Sequence, residues 1–253
     1  MTEIDISIAG ISAHYEGRND APAVLRDVTL DIQRGELCCL VGPSGCGKTT
    51  LVRILAGLHA SYTGTFQIDT QRAENGLAYI QQFDAMLPWR TVLQNAGLGA
   101  EIRGSLTPVV LSRIRDAIRD YGLHGFENHL LTELSGGMRQ RVAIISALES
   151  RPSILFADEP FSAIDFVTRL ELNSRFKKMC RIFGITVVFV THNIEEAIFL
   201  GDVVAVMSGR PGHIVATFRP KFSVGGEDAV RCRESPEFPI LFNSIWSALR
   251  NAE

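Results

Sequence analysis

The chain has 253 residues, of which 46% are hydrophobic and 21% charged, and its formal net charge at pH 7 is −3. A chain of this length can bury a sizeable core, and its slightly acidic balance argues against a nucleic-acid partner. No apolar run reaches the roughly 18–20 residues that span a bilayer, and the first residues lack the features of a signal peptide. Five cysteines without paired metal-ligand spacing are typical of a reducing cytosol.

The first thirty or so residues show an apolar period of two, which is typical of half-buried strands. The alternating residues are Ile4, Ile6 and Ile8, followed by Val28, Leu30 and Ile32. This pattern predicts antiparallel strands. Three later segments, 37–41, 154–157 and 186–190, are instead continuously apolar. Such runs predict parallel strands that are covered on both faces.

Residues 42–49 read Gly-Pro-Ser-Gly-Cys-Gly-Lys-Thr, the spacing of a phosphate-binding loop. An apolar strand precedes the loop, and a helix is predicted from Thr50 to near Gly57. In such a loop Lys48 reaches the β- and γ-phosphates, and the Thr49 hydroxyl ligates Mg²⁺. We expect a nucleoside triphosphate to bind here, on a set of nine residues. They are Gly42, Pro43, Ser44, Gly45, Cys46, Gly47, Lys48, Thr49 and Thr50.

Strand patterns stop after Gln82 and helical periodicity replaces them until Ser150. Thr107 is a good N-cap with Pro108 at the first helical position, and Gly122 ends the apolar stripe that follows. We therefore expect a helical insertion over residues 85–150. The nucleotide-binding α/β core then comprises residues 1–84 and 151–220. Residues 221–253 form a C-terminal tail that packs on the core, with a helix after Ser235-Pro236.

Two acids end the apolar strand at 154–157, and a histidine ends the strand at 187–190. We expect Asp158 to hold Mg²⁺ and Glu159 to accept a proton from the attacking water. Parallel strands present such residues at their carboxyl edge, where ligands collect. His192 is therefore a candidate for the same site.

Five motifs in this order resemble those of the ATPase subunit of ABC transporters, over about residues 10 to 215. Besides the phosphate loop they are 134–141 (Leu-Ser-Gly-Gly-Met-Arg-Gln-Arg), 154–160, 162–165 (Ser-Ala-Ile-Asp) and Thr191-His192. The resemblance implies an α/β fold. That fold is a RecA-like P-loop NTPase core with a mainly parallel sheet, an N-terminal antiparallel β region and an inserted helical subdomain.

The resemblance also implies further site residues. His192 contacts the γ-phosphate and orients water, while Gln82 senses Mg²⁺ or that water; Gln81 is the alternative if the register differs by one. Tyr15 stacks on adenine, unless it packs in the core. The segment Ser135, Gly136 and Gly137 faces the γ-phosphate of an opposite subunit, which implies a homodimer that encloses two ATP molecules.

Finally, the resemblance implies partners. Residues 86–89 (Met-Leu-Pro-Trp) look like the groove that receives a permease subunit, although Trp89 could instead pack in the subdomain core. Together with residues 193–200 and 207–212, this segment is similar to the ATPase subunits of importers of nitrate, sulfonate, taurine and related solutes. Two positions depart from that branch: Asn193 stands where it usually carries Asp, and residues 201–203 (Gly-Asp-Val) replace the more usual Ala-Asp-Arg. We expect two transmembrane permease subunits, an extracytoplasmic solute-binding protein, and a peripheral location on the cytoplasmic face of the inner membrane. The alternative is a soluble ABC ATPase acting on ribosomes or DNA.

Overall fold

A computed structural model describes residues 3–14, 22–69, 76–81, 86–226 and 228–252. Two predicted site residues, Tyr15 and Gln82, lie outside this set. Among the described residues no helix combines the length and apolarity needed to cross a membrane.

The strands form two sheets. A three-stranded antiparallel sheet has the order β2-β1-β4, and a six-stranded sheet has the order β5-β6-β7-β3-β8-β9, with only β9 antiparallel. The strands are β1 (Ile4–Ala13), β2 (Leu25–Gln33), β3 (Leu37–Val41), β4 (Tyr62–Ile68), β5 (Leu77–Ile80), β6 (Ile154–Asp158), β7 (Thr186–Val190), β8 (Val203–Met207) and β9 (Ile214–Phe218). The predicted antiparallel β1–β2 pair and the predicted parallel strands β3, β6 and β7 are confirmed.

The larger sheet is apolar because helices or the smaller sheet cover both of its faces. In β3, Cys38 and Leu40 face the core beneath the small sheet and helix α1 (Lys48–Leu55), whereas Leu37, Cys39 and Val41 face the opposite core. This side-chain alternation within an uninterrupted apolar run explains why the sequence shows no period of two there. The central position of β3 places the phosphate loop in the middle of the sheet's carboxyl edge.

Helices fill the chain between β5 and β6. They are α2 (Val92–Ala96), α3 (Leu98–Ile102), α4 (Pro108–Asp120) and α5 (Gly136–Glu149). The predicted cap of α4 is confirmed, since the Thr107 hydroxyl accepts a hydrogen bond from the Val110 N–H at 3.3 Å. Ile114 and Ile118 of its apolar stripe are fully buried.

After β6 the chain adds α6 (Phe166–Phe183), α7 (Ile194–Leu200), α8 (Ala229–Glu234) and α9 (Glu237–Arg250). The last helix packs on α7, β8 and β9 and buries Phe238 and Ile245. The C-terminal helix begins after Ser235-Pro236, as the sequence predicts.

Candidate active site

The loop between β3 and α1 is shaped by glycines that other residues could not replace without strain. Gly45 and Gly47 have φ values of 76° and 105°, in the region that favours glycine. A Cβ on Gly42 would lie 2.9 Å from the Met207 carbonyl oxygen, and one on Gly47 would lie 2.6 Å from Leu25 Cδ2. Gly47 is also the N-cap of α1 and, among the described residues, no side chain caps this helix. The first N–H groups of α1 can therefore serve an anion.

Lys48 lies along the inner side of this loop. Its Nζ donates hydrogen bonds to the carbonyl oxygens of Gly42 at 2.8 Å and Pro43 at 2.9 Å. It also lies 3.7 Å from the Cys46 sulfur, and both side chains are buried. The loop thus concentrates an ammonium group and a helix N-terminus in one place, which is the electrostatic requirement for binding phosphates.

Thr49 and Asp158 meet where α1 begins and β6 ends. The Thr49 hydroxyl donates to Asp158 Oδ1 at 3.2 Å, and the Tyr79 hydroxyl donates to Oδ2 at 3.4 Å. Burial raises the pKa of Asp158, whose side chain is almost fully buried. Mg²⁺ prefers oxygen ligands and commonly combines one or two carboxylates with substrate phosphates. This hydroxyl and carboxylate beside a phosphate loop fit that donor set.

Glu159 follows β6 in a left-handed backbone conformation, with φ of 49°. Its N–H donates to the Val190 carbonyl oxygen at 3.0 Å, which ties the turn to the end of β7. Its Oε2 lies 3.4 Å from His192 Nδ1. A non-glycine residue in this region costs about 1–3 kcal/mol, and such strain tends to occur at functional sites. Here it brings the predicted base beside the predicted histidine.

A buried hydrogen-bond network around Glu196 holds the residues on either side of His192. The Thr191 hydroxyl donates to Glu196 Oε2 at 2.5 Å, and Asn173 Nδ2 donates to Oε1 at 3.2 Å. Asn193 caps α7 by accepting from the Glu196 N–H at 3.3 Å. An asparagine serves this cap as well as an aspartate does, so the departure at this position leaves the local structure intact.

This network gives a prediction for the dependence of stability on pH. Burial, the largest cause, raises the pKa of Glu196. As pH rises past the usual glutamate pKa of about 4.3, the unfolded chain ionises first, so the folded state loses stability until the folded pKa is passed. The loss is absent below the unfolded-state pKa and complete once the pH has passed the folded-state pKa.

We therefore expect the melting temperature of Glu196→Gln, relative to wild type, to increase between about pH 4 and pH 8. The gain should be about 2–4 °C for each kcal/mol of ionisation cost removed. Scanning calorimetry across this range measures it, with Glu171→Gln, an exposed carboxylate on α6, as the control. A difference from wild type that does not change with pH would contradict the prediction.

Residues 135–137, which are predicted to face the γ-phosphate of an opposite subunit, lie at the start of α5, where the helix N-terminus offers a second potential anion site. Ser135 is its N-cap and accepts from the Met138 N–H at 3.4 Å. A Cβ on Gly137 would lie 2.9 Å from the Ala163 carbonyl oxygen, so this glycine permits close packing against the segment 162–165. Gln140 holds the same segment, because its side chain donates to the Ser162 hydroxyl and accepts from the Ala163 N–H, both at 2.9 Å.

Comparison with known proteins identifies the arrangement. The family model described as ABC transporter matches residues 25–162, which is more than half of the chain. The chain belongs to the ABC transporter family.

Curated relatives of this ABC protein match over most of its length. The taurine import ATP-binding protein TauB of Yersinia pestis is 36% identical, with 92% of each chain covered. The aliphatic sulfonates import ATP-binding protein SsuB 2 of Pseudomonas syringae pv. tomato is 42% identical, covering 76% of this chain and 78% of its own. An uncharacterised ABC transporter ATP-binding protein of Bacillus subtilis, YtlC, is 35% identical over 94% of this chain and 93% of its own.

A solved dimeric ATP-binding cassette in a post-hydrolysis state, bound to ADP and phosphate, superposes on the ABC chain with a TM-score of 0.74 and 27% identity. The match covers 85% of this chain and 99% of the cassette. The predicted fold class and family are therefore confirmed, and the chain is an ABC-type ATPase.

Among the described residues the structure brings two pairs of predicted site residues into contact, Thr49 with Asp158 and Glu159 with His192. Tyr15 and Gln82 lie outside the described residues. Gln81 is exposed and lines a cavity of about 280 Å³ between β5, α3 and α5. The roles of these residues in binding and hydrolysis stay predictions.

Sequence reasoning gave no role to three residues that support the site. They are Tyr79, Gln140 and Glu196. Gln140 and Glu196 stand within or beside recognised motifs, so their spacing could have singled them out. Tyr79 occupies an ordinary strand position, and only the three-dimensional contact with Asp158 reveals it.

Proposed function

We propose that this chain is the Mg²⁺-dependent ATPase subunit of an importer for a small solute such as taurine, another sulfonate or nitrate. It acts as a homodimer and drives two separate transmembrane permease subunits that receive solute from an extracytoplasmic binding protein. It lies peripherally on the cytoplasmic face of the inner membrane. The observation that carries the ATPase part is the contact between Glu159 and His192 beside the Thr49–Asp158 pair.

The chain's own groups divide the work of hydrolysis. Lys48 and the first N–H groups of α1 hold the phosphates, which positions the γ-phosphate for attack. Glu159 takes the proton from the attacking water, and His192 orients that water against the γ-phosphate. Gln82 is proposed to link this site to the helical insertion, and Tyr15 to stack on the adenine ring.

Thr49 and Asp158 would hold Mg²⁺, with Gln82 sensing the ion, and the bound ion would supply charge neutralisation on the phosphate oxygens. Asp158 is suited to this role because its carboxyl group lies buried beside the Thr49 hydroxyl, where a cation would offset the cost of burying the ionised form.

A dimer accounts for the second anion site. Ser135, Gly136 and Gly137 begin a helix whose N-terminus favours phosphate, in addition to the phosphate loop. In a C₂ pair the same surface serves both subunits, so this segment of one chain would contact the nucleotide held by its partner. The solved cassette that superposes on this chain is itself dimeric, which supports this arrangement.

The import role is supported by the names of the relatives and by one exposed side chain. The Trp89 side chain is 71% exposed, which removes the alternative that it packs in the core. An exposed tryptophan after a proline is a plausible anchor for a partner, because such residues dominate interface energetics. A soluble ATPase acting on ribosomes or DNA is not favoured, since curated relatives over most of the chain carry import names.

We expect Trp89→Ala to reduce at least fivefold the amount of permease that co-purifies with the tagged chain from gently solubilised membranes. Trp246→Ala is the matched control, because Trp246 is also exposed but lies on α9. Mass spectrometry of the wild-type preparation should identify an ABC permease and a solute-binding protein. Recovery of ribosomal or DNA-repair proteins alone would overturn the import role and leave only the ATPase.

A further inference from the structure

Tyr79 lies on β5, the edge strand of the larger sheet, and reaches the acid at the end of the neighbouring strand. β5 pairs with β6 in parallel, with Tyr79 opposite Phe156 and Ile80 opposite Ala157. The Tyr79 hydroxyl donates to Asp158 Oδ2 at 3.4 Å. Arg53 of α1 lies within hydrogen-bonding reach of the same hydroxyl. The tyrosine therefore connects α1 with the proposed metal ligand.

The Asp158 carboxylate receives its side-chain hydrogen bonds in the described part of the chain from two hydroxyls, one on each oxygen. Thr49 donates to Oδ1 and Tyr79 donates to Oδ2. The Thr49 hydroxyl is also proposed to ligate Mg²⁺. The Tyr79 hydroxyl is not a proposed ligand, so it can keep its hydrogen bond to Oδ2 when the cation is bound.

A tyrosine hydroxyl is protonated at neutral pH, so the Tyr79 hydroxyl can act as a donor to Asp158. A packing role alone would not need it, because the ring packs against the core beneath the small sheet, where phenylalanine would serve equally well. Packing therefore accounts for the ring of Tyr79 but not for its hydroxyl group.

We propose that Tyr79 is a positioning residue that orients the Asp158 carboxylate for Mg²⁺ and so sets the affinity of the nucleotide-bound protein for the metal. The inference rests on the proposed function, since it requires Asp158 to hold the cation. Hydrogen-bonding partners of metal ligands typically change metal affinity by about 10–100-fold when they are removed. Because the bond here is long, we expect the lower end of that range.

The test uses Tyr79→Phe in a Glu159→Gln chain, which should hold ATP without hydrolysing it. Electron paramagnetic resonance measures Mn²⁺ binding in the presence of ATP, and a fluorescent ATP analogue with EDTA measures nucleotide affinity without metal. We expect about tenfold weaker Mn²⁺ binding and unchanged metal-free nucleotide affinity. Tyr62→Phe is the matched control, because Tyr62 is half-buried and packs against the same core.

Each outcome decides a separate point. If the chain with Tyr79 intact binds no Mn²⁺ with ATP, the proposed function fails. If that chain binds Mn²⁺ and Tyr79→Phe binds it equally well, the inference fails alone. Equal losses of metal binding and metal-free nucleotide binding would mean a structural role, and would also overturn it.

A second comparison distinguishes a specific effect of Tyr79→Phe from a general loss of structure in that variant. In an Asp158→Asn background, Tyr79→Phe should cause no further loss of Mn²⁺ affinity, because the two residues act through one contact. A further tenfold loss in that background would show that Tyr79 acts independently of Asp158, which contradicts the proposal.

Discussion

Replacement of Glu159 by glutamine is expected to lower ATP turnover by roughly 10²–10⁴-fold, the usual contribution of a general base. This corresponds to about 3–5 kcal/mol of transition-state stabilisation. Glutamine keeps the size and hydrogen-bonding reach of the side chain that lies 3.4 Å from His192 Nδ1, but it cannot accept the proton. ATP affinity should survive, because the phosphate loop and Lys48 are untouched.

A phosphate-release assay on the purified variant measures the turnover, and equilibrium binding of a fluorescent ATP analogue measures the affinity. Glu171→Gln is the control, since it removes a carboxylate from the exposed surface of α6 and should hydrolyse ATP at the wild-type rate. Wild-type turnover by Glu159→Gln would show that Glu159 is not the base. Loss of ATP binding would instead show that Glu159 contributes to binding the nucleotide rather than to the chemical step.

A mixture of two inactive chains is expected to recover hydrolysis. Lys48→Ala disables the phosphate loop, and Ser135→Arg places a bulky cation at the N-cap of α5. In a mixed dimer, one site combines both defects and the other combines the intact Lys48 with the intact Ser135. With random pairing half of the dimers are mixed, so the mixture should reach about a quarter of the wild-type rate if sites fire independently.

Each variant alone should remain near background, because every site in its homodimer carries one defect. Mixing the two variants at several ratios distinguishes activity of mixed dimers from activity of a contaminating ATPase, because mixed dimers should give the greatest rate at equal amounts of the two chains. A chain that hydrolyses ATP as an independent monomer would show no recovery at any ratio. That result would contradict the shared site.

Much of the fold is readable from the sequence because its signals are local. The glycines of 42–47 and the run at 37–41 predict a strand, a phosphate loop and a helix in that order. Thr107-Pro108 predicts the start of α4, since an N-cap hydroxyl and a proline at the first position act within one turn. The predicted start of α1 is wrong by two residues, because the helix begins at Lys48 rather than Thr50.

Contacts between distant segments were not readable in the same way. The left-handed backbone of Glu159 depends on its hydrogen bond to Val190, which belongs to another strand. The contact of Tyr79 with Asp158 depends on the register of β5 against β6. Neither feature depends on the neighbouring residues in the sequence. Supporting residues of this kind can be identified only once the sheet is assembled, whereas the motif residues can be identified from their spacing in the sequence.

The most direct test of the shared ATP site is the mass of the Glu159→Gln chain in solution with and without ATP and Mg²⁺. Sedimentation velocity measures the mass, and bound nucleotide is counted in the same fractions. The proposal predicts a monomer without ATP and a dimer that holds two ATP molecules with it. A chain that binds one ATP and stays monomeric at every protein concentration would contradict the account.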